Sequence, residues 1–145
     1  MRIGKSRLCR LFLFPRQWVL GISERGSLLR GLERSTSIES GAWNIVHTHS
    51  GTLEGRLASL LIGTGAEIAL VSRFRDGETR MTARASRHTT LKGIHLGELM
   101  ASVAKQIGGE GGGHDGAAGW SGKTDRIAAE SSFITQVALI KRSDD

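Results

Sequence analysis

Proline, cysteine and tyrosine are almost missing from this chain, whose 145 residues include one proline, one cysteine and no tyrosine. The single cysteine, Cys9, cannot form an internal disulfide and has no metal-ligand partner nearby in the sequence. A disulfide scaffold and a cysteine metal site are therefore excluded. Such cysteine usage is typical of a reducing compartment, and we expect a cytoplasmic protein.

A long apolar run is also missing. After a basic stretch, residues Leu11 to Phe14 are apolar, and Pro15 and Arg16 end the run after four residues. A membrane-spanning helix needs about 20 apolar residues, and no clean signal-peptide cleavage site follows. We expect no membrane anchor and no membrane partner. Two alternatives remain for this segment: a basic amphipathic arm that touches nucleic acid or a partner, or a segment whose natural neighbour is missing.

The positive charge is unevenly distributed. The formal net charge is +6, but residues 1–44 hold eight Lys/Arg against three Asp/Glu, and residues 45–145 hold twelve against eleven. The basic composition, which would favour a nucleic-acid partner, thus comes mostly from the N-terminal part. We divide the chain into residues 1–42, a basic segment or linker remnant, and residues 43–145, the folded domain.

The pattern of apolar residues predicts an α/β fold: a single small domain with a mixed β-sheet, a hairpin and helices packed on the sheet. Apolar residues recur at helical spacing over Leu96 to Ile107, the clearest helix of the chain. Further elements are a strand at Asn44 to His47, a polar loop at His88 to Gly93, and helices at Ser27 to Ser37, Leu53 to Ile62 and Asp125 to Ile140.

A hairpin is predicted at the centre of the domain. Two strand-like segments, Glu67 to Phe74 and Glu78 to Ala85, flank an Asp-Gly pair that tolerates positive φ. Side chains of one parity share a face of a strand. Thr82 and Arg84 are therefore expected on the same face.

The segment Gly108 to Gly119 carries seven glycines in twelve positions. Such a run indicates either a flexible linker or a backbone that a phosphate can approach closely, with exposed N–H groups and the start of a helix or turn near His114. No Lys-Ser/Thr follows, so it is not a Walker loop. A linker seldom joins two well-patterned helices of one small core, and the small residues 117–119 indicate tight packing. Both observations favour a phosphate-binding loop over a linker.

Two side chains, those of His114 and Arg84, could act with this loop. His114 is either a phosphate donor or acid, or a structural turn histidine, and Asp115 is interpreted as a turn residue. Arg84 is either a bidentate phosphate ligand or a solvated strand arginine. His47 and His49 have no carboxylate or cysteine at useful spacing, which favours strand-end histidines over metal ligands.

The sequence GGGHDGAAG at residues 111–119, with Thr82, Arg84 and the helix from Leu96, resembles the DHH-associated domain, type 1. This family forms the C-terminal half of RecJ-like exonucleases and of oligoribonuclease/pAp phosphatases, and a relative occurs in alanyl-tRNA synthetases. The resemblance runs from about Ile45 to the end and is closest to archaeal RecJ-like members. It implies substrate-phosphate binding by Arg84, His114, Thr82 and the loop glycines, which are Gly111, Gly112 and Gly113; Thr82 replaces the usual serine.

The family's catalytic DHH domain, with its two Mn²⁺ or Mg²⁺ ions, has no counterpart in the sequence. The resemblance therefore implies a substrate-binding domain without catalytic residues, metal ligands or a cofactor of its own. The expected ligand is single-stranded DNA or RNA, or a small nucleotide. Two alternatives stay open: a subunit that completes a phosphoesterase with a DHH domain in trans, and a degenerate domain that binds protein or RNA.

Overall fold

A computed structural model describes residues 21–143, which form one six-stranded mixed sheet and five helices. The strand order is β1-β2-β3-β4-β6-β5. In chain order the elements are α1 Ile22–Glu33, β1 Thr36–Ser40, β2 Trp43–His49, α2 Glu54–Gly63, β3 Ile68–Arg75, β4 Glu78–Ala85, α3 Arg87–Leu91, α4 Leu96–Ile107, β5 Glu110–Gly113, β6 Ala117–Gly122 and α5 Arg126–Ala138. The predicted α/β class is confirmed.

Among the strands of the described residues, only β2 and β3 pair in parallel, and every other pair of neighbours is antiparallel. Parallel neighbours require a crossover, which α2 supplies between them. The predicted hairpin is confirmed: β3 and β4 pair over their full lengths through a turn in which Asp76 and Gly77 have φ of 52° and 75°. Positive φ at both turn positions matches the twist of the two strands.

Each face of the sheet packs against a different pair of helices. On the first, which we call the core face, α4 and α5 cover strands across the sheet, and the buried side chains include Trp43, Met81, Trp120 and Phe133. On the second face, α1 and α2 pack against β2 and β3 around Leu57 and Val71. α2 also lies over the part of β4 that contains Arg84, so on this face the rest of β4, with β6 and β5, is less covered.

The long helices follow their sequence signals. α4 spans the predicted residues, and His95 caps it by accepting a hydrogen bond from the backbone N–H of Glu98. α5 begins after Asp125, whose carboxylate caps the helix by accepting a hydrogen bond from the N–H of Ala128 at 3.0 Å.

Outside the glycine-rich segment, the structure differs from the sequence-based elements in two places. The polar loop predicted at residues 88–93 contains α3, which Ser86 caps by accepting from the N–H of Thr89. The helix predicted at Ser27 to Ser37 begins earlier, at Ile22, and ends at Glu33, because residues 36–40 form β1 and pair with β2. The domain boundary at residue 42 stays a prediction.

Predictions about residues 1–20, including the absence of a membrane anchor, lie outside the described residues. Within residues 21–143, no helix is both long enough and apolar enough to span a membrane.

Candidate functional site

The open half of the second face is the candidate site. Strand pairing places three rows of residues side by side across β4, β6 and β5 on this face. The first row contains Arg84 and Ala117, the second contains Thr82, Gly119 and Gly112, and the third contains Arg80, Ser121 and Glu110. A groove of about 390 Å³ runs along the second and third rows.

The glycine-rich segment is a β-hairpin, not the loop that the sequence predicted. Gly111, Gly112 and Gly113 pair with Trp120, Gly119 and Ala118, and only residues 114–116 connect the two strands. A flexible linker is also excluded, because β6 pairs with β4 in the middle of the sheet. The glycines therefore form part of the floor of the site.

Of the helix or turn predicted to begin near His114, the structure has the turn, and the start of a helix lies close by in space. The first N–H groups of α4, from Leu96 and Gly97, donate to the carbonyl oxygens of Asp115 and His114, both at 2.9 Å. The positive end of α4 therefore holds the hairpin connection in place and is already occupied by protein carbonyls. Asp115 is a turn residue as predicted, with its carboxylate accepting from the N–H of Gly116.

The three candidate glycines have different surroundings. A Cβ on Gly111 would overlap the carbonyl oxygen of Met100, so this glycine allows α4 to approach β5 closely. A Cβ on Gly113, whose φ is 142°, would lie 2.7 Å from the carbonyl oxygen of Ala117. Around Gly112 there is no atom within 4 Å of a Cβ position, because this residue faces the groove.

Arg84 lies beside the start of α2. One guanidinium nitrogen, Nη2, is 3.7 Å from the point where a Cβ would lie if Gly55, in the first turn of that helix, carried a side chain. The Nε atom of Arg84 is buried and has no hydrogen-bond partner among the described residues. A buried donor without a partner costs roughly 1 to 3 kcal/mol, a cost that an acceptor such as a phosphate oxygen would remove.

His114 extends the row of Arg84. Its backbone N–H donates to the carbonyl oxygen of Ala117 at 2.8 Å, and Ala117 is the residue that pairs with Arg84. Two steps between neighbouring strands separate the two backbones, a distance of about 10 Å that the side chains of arginine and histidine can bridge to a shared anion. His114 is exposed to solvent.

Thr82 shares a face with Arg84, as predicted. Both are partly exposed. Ala83, which lies between them, and Met81, which precedes Thr82, are fully buried on the core face. Thr82 also lines the groove together with Gly112 and Gly119. The structure thus brings all six sequence-predicted residues to the hairpin and its neighbouring strand, with Gly111 and Gly113 in packing positions.

The start of α2 adds a partial positive charge near Arg84. Its N-cap residue, Leu53, has left-handed backbone dihedrals and provides no side-chain cap. The acidic residue of the first turn, Glu54, forms an ion pair with Arg73 at 3.1 Å. N–H groups at a helix start favour an anion, and the sequence analysis missed this contribution because it depends on how the crossover helix lies on the sheet.

His47 and His49 lie on β2, in register with Leu70 and Ser72 of β3. Burial lowers the pKa of His49, and the nearby charges of Arg126 and Arg34 lower it further against the opposing effect of Glu130. Within residues 21–143, no group of three or more His, Cys, Asp or Glu side chains is placed to hold a metal ion. His47 and His49, without carboxylates beside them, do not fit a two-metal hydrolytic centre.

The sequence does not predict two polar features. First, Arg80 and Ser121 line the groove. Of the two, only Arg80 carries a local signal, because it has the same parity on β4 as Thr82 and Arg84. On the core face, buried Glu130 accepts a hydrogen bond from Ser72 and forms an ion pair with Arg126 at 2.7 Å. Burial of Glu130 is compatible with its charge because both partners are present.

Comparison with known proteins places this geometry in a family. The sequence model of the DHHA1 domain matches residues 46–138. An uncharacterized protein of Methanocaldococcus jannaschii is 31% identical over 118 residues, which cover 80% of this chain and 36% of that protein. The chain therefore spans about a third of the length of this relative.

Solved structures share the fold. The C-Ala domain of Aquifex aeolicus alanyl-tRNA synthetase superposes with a TM-score of 0.59 at 14% identity, covering 71% of this chain and 98% of that domain. A pGpG-specific phosphodiesterase of Vibrio cholerae gives a TM-score of 0.52 at 17% identity, covering 79% of this chain and 38% of the enzyme. With most of the chain matched by the family model, from β2 to the end of α5, this protein belongs to the DHHA1 domain family.

Proposed function

We propose that this domain binds phosphate groups of a nucleotide or of single-stranded nucleic acid on the open half of its second face, with Arg84 as the principal contact. The observation that carries the proposal is the buried Nε of Arg84, which has no partner among the described residues. No carboxylate in residues 21–143 forms an ion pair with this guanidinium. A phosphate would supply both the acceptor and the opposite charge.

The surrounding groups suit an anion. The first turn of α2 lies beside the guanidinium, the Thr82 hydroxyl lies one row away, and His114 continues the row of Arg84. Gly112 leaves the floor without a side chain, so a ligand can approach the backbone. Together these groups can surround a phosphate with donors from three elements.

The names of the structural relatives support a nucleotide ligand. The Vibrio cholerae enzyme is described as a phosphodiesterase specific for pGpG, and the Aquifex domain belongs to a synthetase for a tRNA. By the resemblance to RecJ-like exonucleases, we propose that this domain holds substrate for a DHH catalytic domain, which would bring the Mn²⁺ or Mg²⁺ ions. We expect it to act in the cytoplasm, in keeping with its single cysteine.

The first test is the affinity of Arg84→Ala for a 5′-phosphorylated single-stranded decanucleotide, measured by fluorescence anisotropy. Removing a charge-assisted hydrogen bond to phosphate should cost about 1 to 3 kcal/mol, or roughly 5- to 150-fold in Kd. His114→Ala should weaken binding in the same direction. Lys105→Ala is the matched control, because it removes one positive charge from α4 on the other side of the sheet.

Unchanged affinity in Arg84→Ala would remove this arginine from the site and overturn the proposal. A second result bears on catalysis. If the purified domain hydrolysed the oligonucleotide with added Mn²⁺, and His114→Ala abolished that activity, the assignment as a binding domain without catalysis would be wrong.

A second candidate function is completion of a phosphoesterase in trans. It is favoured by the resemblance to oligoribonuclease/pAp phosphatases, in which a domain of this family works together with a catalytic DHH domain. Adding the domain to a separately produced DHH catalytic domain should then raise Mn²⁺-dependent oligonucleotide hydrolysis above that of the catalytic domain alone. Arg84→Ala should remove the increase, and no increase with the wild-type domain would count against this function.

A further inference from the structure

The two outer strands of the sheet, β1 and β5, differ in how their free edges are covered. Just after β5, the backbone N–H of His114 donates to the carbonyl oxygen of Ala117, the residue that precedes the partner strand of the hairpin in pairing order. Because backbone direction alternates along a strand, the carbonyl oxygen of Gly113 points outward. A Cβ on Gly97 of α4 would overlap that oxygen, so α4 lies against the edge of β5.

β1 carries its outward backbone groups at Ser37 and Glu39. On the neighbouring strand β2, the N–H of Asn44 donates to the carboxylate of Glu67 at 2.9 Å, on the side of β3 and away from β1. Asn44 is the residue that pairs with Glu39, so the two form a non-hydrogen-bonded pair of the antiparallel ladder. Since such pairs alternate with hydrogen-bonded ones, the N–H and C=O groups of both Ser37 and Glu39 point away from the sheet.

This edge is open and unprotected. Outside the ladder, the backbone of neither Ser37 nor Glu39 takes part in a hydrogen bond among the described residues. Edge strands are commonly protected by proline, lysine or a bulge, whereas β1 contains neither residue and pairs with β2 in a continuous register. Its one charged group, the carboxylate of Glu39, accepts a hydrogen bond from Nδ2 of Asn44 at 3.0 Å and so stays over its own sheet.

The side chains of β1 differ on its two faces. On the core face, Ile38 is partly buried at the margin of the core together with Ile134 of α5, whose carbonyl oxygen accepts a hydrogen bond from the hydroxyl of Ser40. On the second face, Ser37 and Glu39 are exposed. The strand therefore has an apolar centre on one face and, on the other, a hydroxyl donor on one side of the centre and a carboxylate on the other side.

This pattern is complementary to itself when two β1 strands run antiparallel. In the register centred on Ile38, all five residues of the strand are paired, and each Ser37 lies opposite a Glu39. Both residues have outward backbone groups, so each such pair exchanges two backbone hydrogen bonds. The hydroxyl also lies opposite the carboxylate, and the two Ile38 side chains meet on the core side. A register centred on Glu39 would instead place like charges opposite each other.

We propose that β1 is a homodimer interface, in which two copies of this chain pair their β1 strands antiparallel about a two-fold axis at Ile38. The two six-stranded sheets then form one continuous sheet with both core faces on the same side. The strands β4, β6 and β5 lie toward the outer ends of this sheet and stay uncovered by the second copy. The pairing does not depend on phosphate binding at Arg84.

The first test is sedimentation equilibrium of the full 145-residue chain. A contact between two short strands is small and belongs with the weak interfaces, so the Kd of the dimer should lie between about 1 µM and 1 mM. A chain that stays monomeric over this whole range of concentration overturns the proposal. Growth beyond the dimer overturns it as well, because a two-fold contact closes on itself.

A charge series at Ser37 tests which residue lies opposite. Ser37→Glu sets a carboxylate opposite Glu39 of the second copy, and Ser37→Lys sets an ammonium there. Because the contact occurs twice, Kd should rise by about 2- to 30-fold in the first variant and fall by a similar factor in the second. Ser102→Glu and Ser102→Lys are the matched controls on α4, which packs on β5 and β6 at the other end of the sheet, and they should leave Kd unchanged.

Circular dichroism and thermal unfolding establish that all four charge variants fold like wild type. A shift of Kd in the same direction for Ser37→Glu and Ser37→Lys would contradict the proposed register. So would shifts of equal size in the Ser102 variants, since they would show an effect of net charge and not of a contact at β1.

Disulfide cross-linking in a Cys9→Ser background tests the position of the two-fold axis. Ile38→Cys places two cysteines in a non-hydrogen-bonded pair, with Cα atoms about 4.5 Å apart, which a disulfide can bridge. In Ser37→Cys the two cysteines are offset along the strands, with Cα atoms more than about 7 Å apart, which is too far. Under mild oxidation Ile38→Cys should form a covalent dimer about tenfold faster than Ser37→Cys, as followed on non-reducing gels. Equal rates, or a faster reaction of Ser37→Cys, would overturn a two-fold axis at Ile38.

Discussion

The two faces of β4 differ in what their residues do. Met81 and Ala83 point to the core face and are fully buried, whereas Thr82 and Arg84 lie on the opposite face and are partly exposed. One strand of eight residues thus contributes to the hydrophobic core and to the candidate site at alternate positions. Stability and ligand binding can therefore be altered separately in this domain, by substituting neighbouring residues.

The glycines of β5 repeat this division. Gly111 faces α4, where a side chain has no room, and Gly112 faces the groove, where a side chain meets no atom within 4 Å. Of these two glycines, only Gly112 has an open side-chain position through which a ligand can approach the backbone. For Gly111 the packing of α4 is sufficient explanation.

The largest expected effect is on the free energy of unfolding, which should fall in Met81→Ala and stay nearly unchanged in Thr82→Ala. Met81 is fully buried, and truncating it should lower the free energy of unfolding by about 2 to 5 kcal/mol through reduced burial and a cavity. Thr82→Ala should change it by less than about 0.5 kcal/mol, as is usual for partly exposed positions. Urea denaturation followed by circular dichroism measures both values, and similar decreases would break the division between the faces.

A smaller effect is expected at the adjacent glycines. Gly111→Ala should cost about 1 to 3 kcal/mol, because its Cβ would force α4 away from β5. In Gly112→Ala the free energy of unfolding should stay within about 0.5 kcal/mol of wild type, and oligonucleotide affinity should fall. Thermal unfolding and fluorescence anisotropy on the same preparations separate the two effects. A destabilised Gly112→Ala that binds normally would contradict the assignment of these glycines.

The sequence predicts an element of this structure where its apolar and polar side chains, or its turn residues, follow a regular spacing. The prediction of α4 is correct because six apolar residues repeat at helical spacing, and that of the β3–β4 hairpin because Asp76 and Gly77 favour its turn. The strands β5 and β6 are not predicted, because strand prediction relies on alternation of apolar and polar side chains. Glycines at 111, 112 and 113 have none to alternate.

The site is predictable in part for a related reason. The parity of Thr82 and Arg84 follows from local sequence, and their connection to His114 comes from the family resemblance. The row that joins Arg84, Ala117 and His114 depends on pairing between strands more than 30 positions apart in the chain. Ser121 becomes a neighbour of the site only through that long-range pairing. The start of α2 does so only through the packing of the crossover helix on the sheet, and no local pattern encodes either contact.

The smallest expected effect concerns His49, on the core face at the end of β2, where burial and nearby charges both act on a titratable side chain. Burial, followed by the charges of Arg126 and Arg34, lowers the pKa of His49 below its ordinary value of 6.5. Below pH 6.5 the unfolded chain therefore binds a proton at this position more readily than the folded chain. Stability linked to His49 is thus fully present above pH 6.5 and is lost as the pH falls from 6.5 toward the lowered folded-state pKa.

Substitution at His49 tests that linkage. His49→Asn should reduce the drop in melting temperature between about pH 7 and pH 5.5, while His88→Gln, at an exposed histidine of α3, serves as the control for the number of histidines. Scanning calorimetry in buffers of equal ionic strength measures the difference. If His49→Asn showed the same pH dependence as wild type, neither the burial of His49 nor the charges of Arg126 and Arg34 would control stability in this pH range. The loss of stability at low pH would then arise from other titrating groups, and His49 would not distinguish the core face from the charged groove on the other side of the sheet.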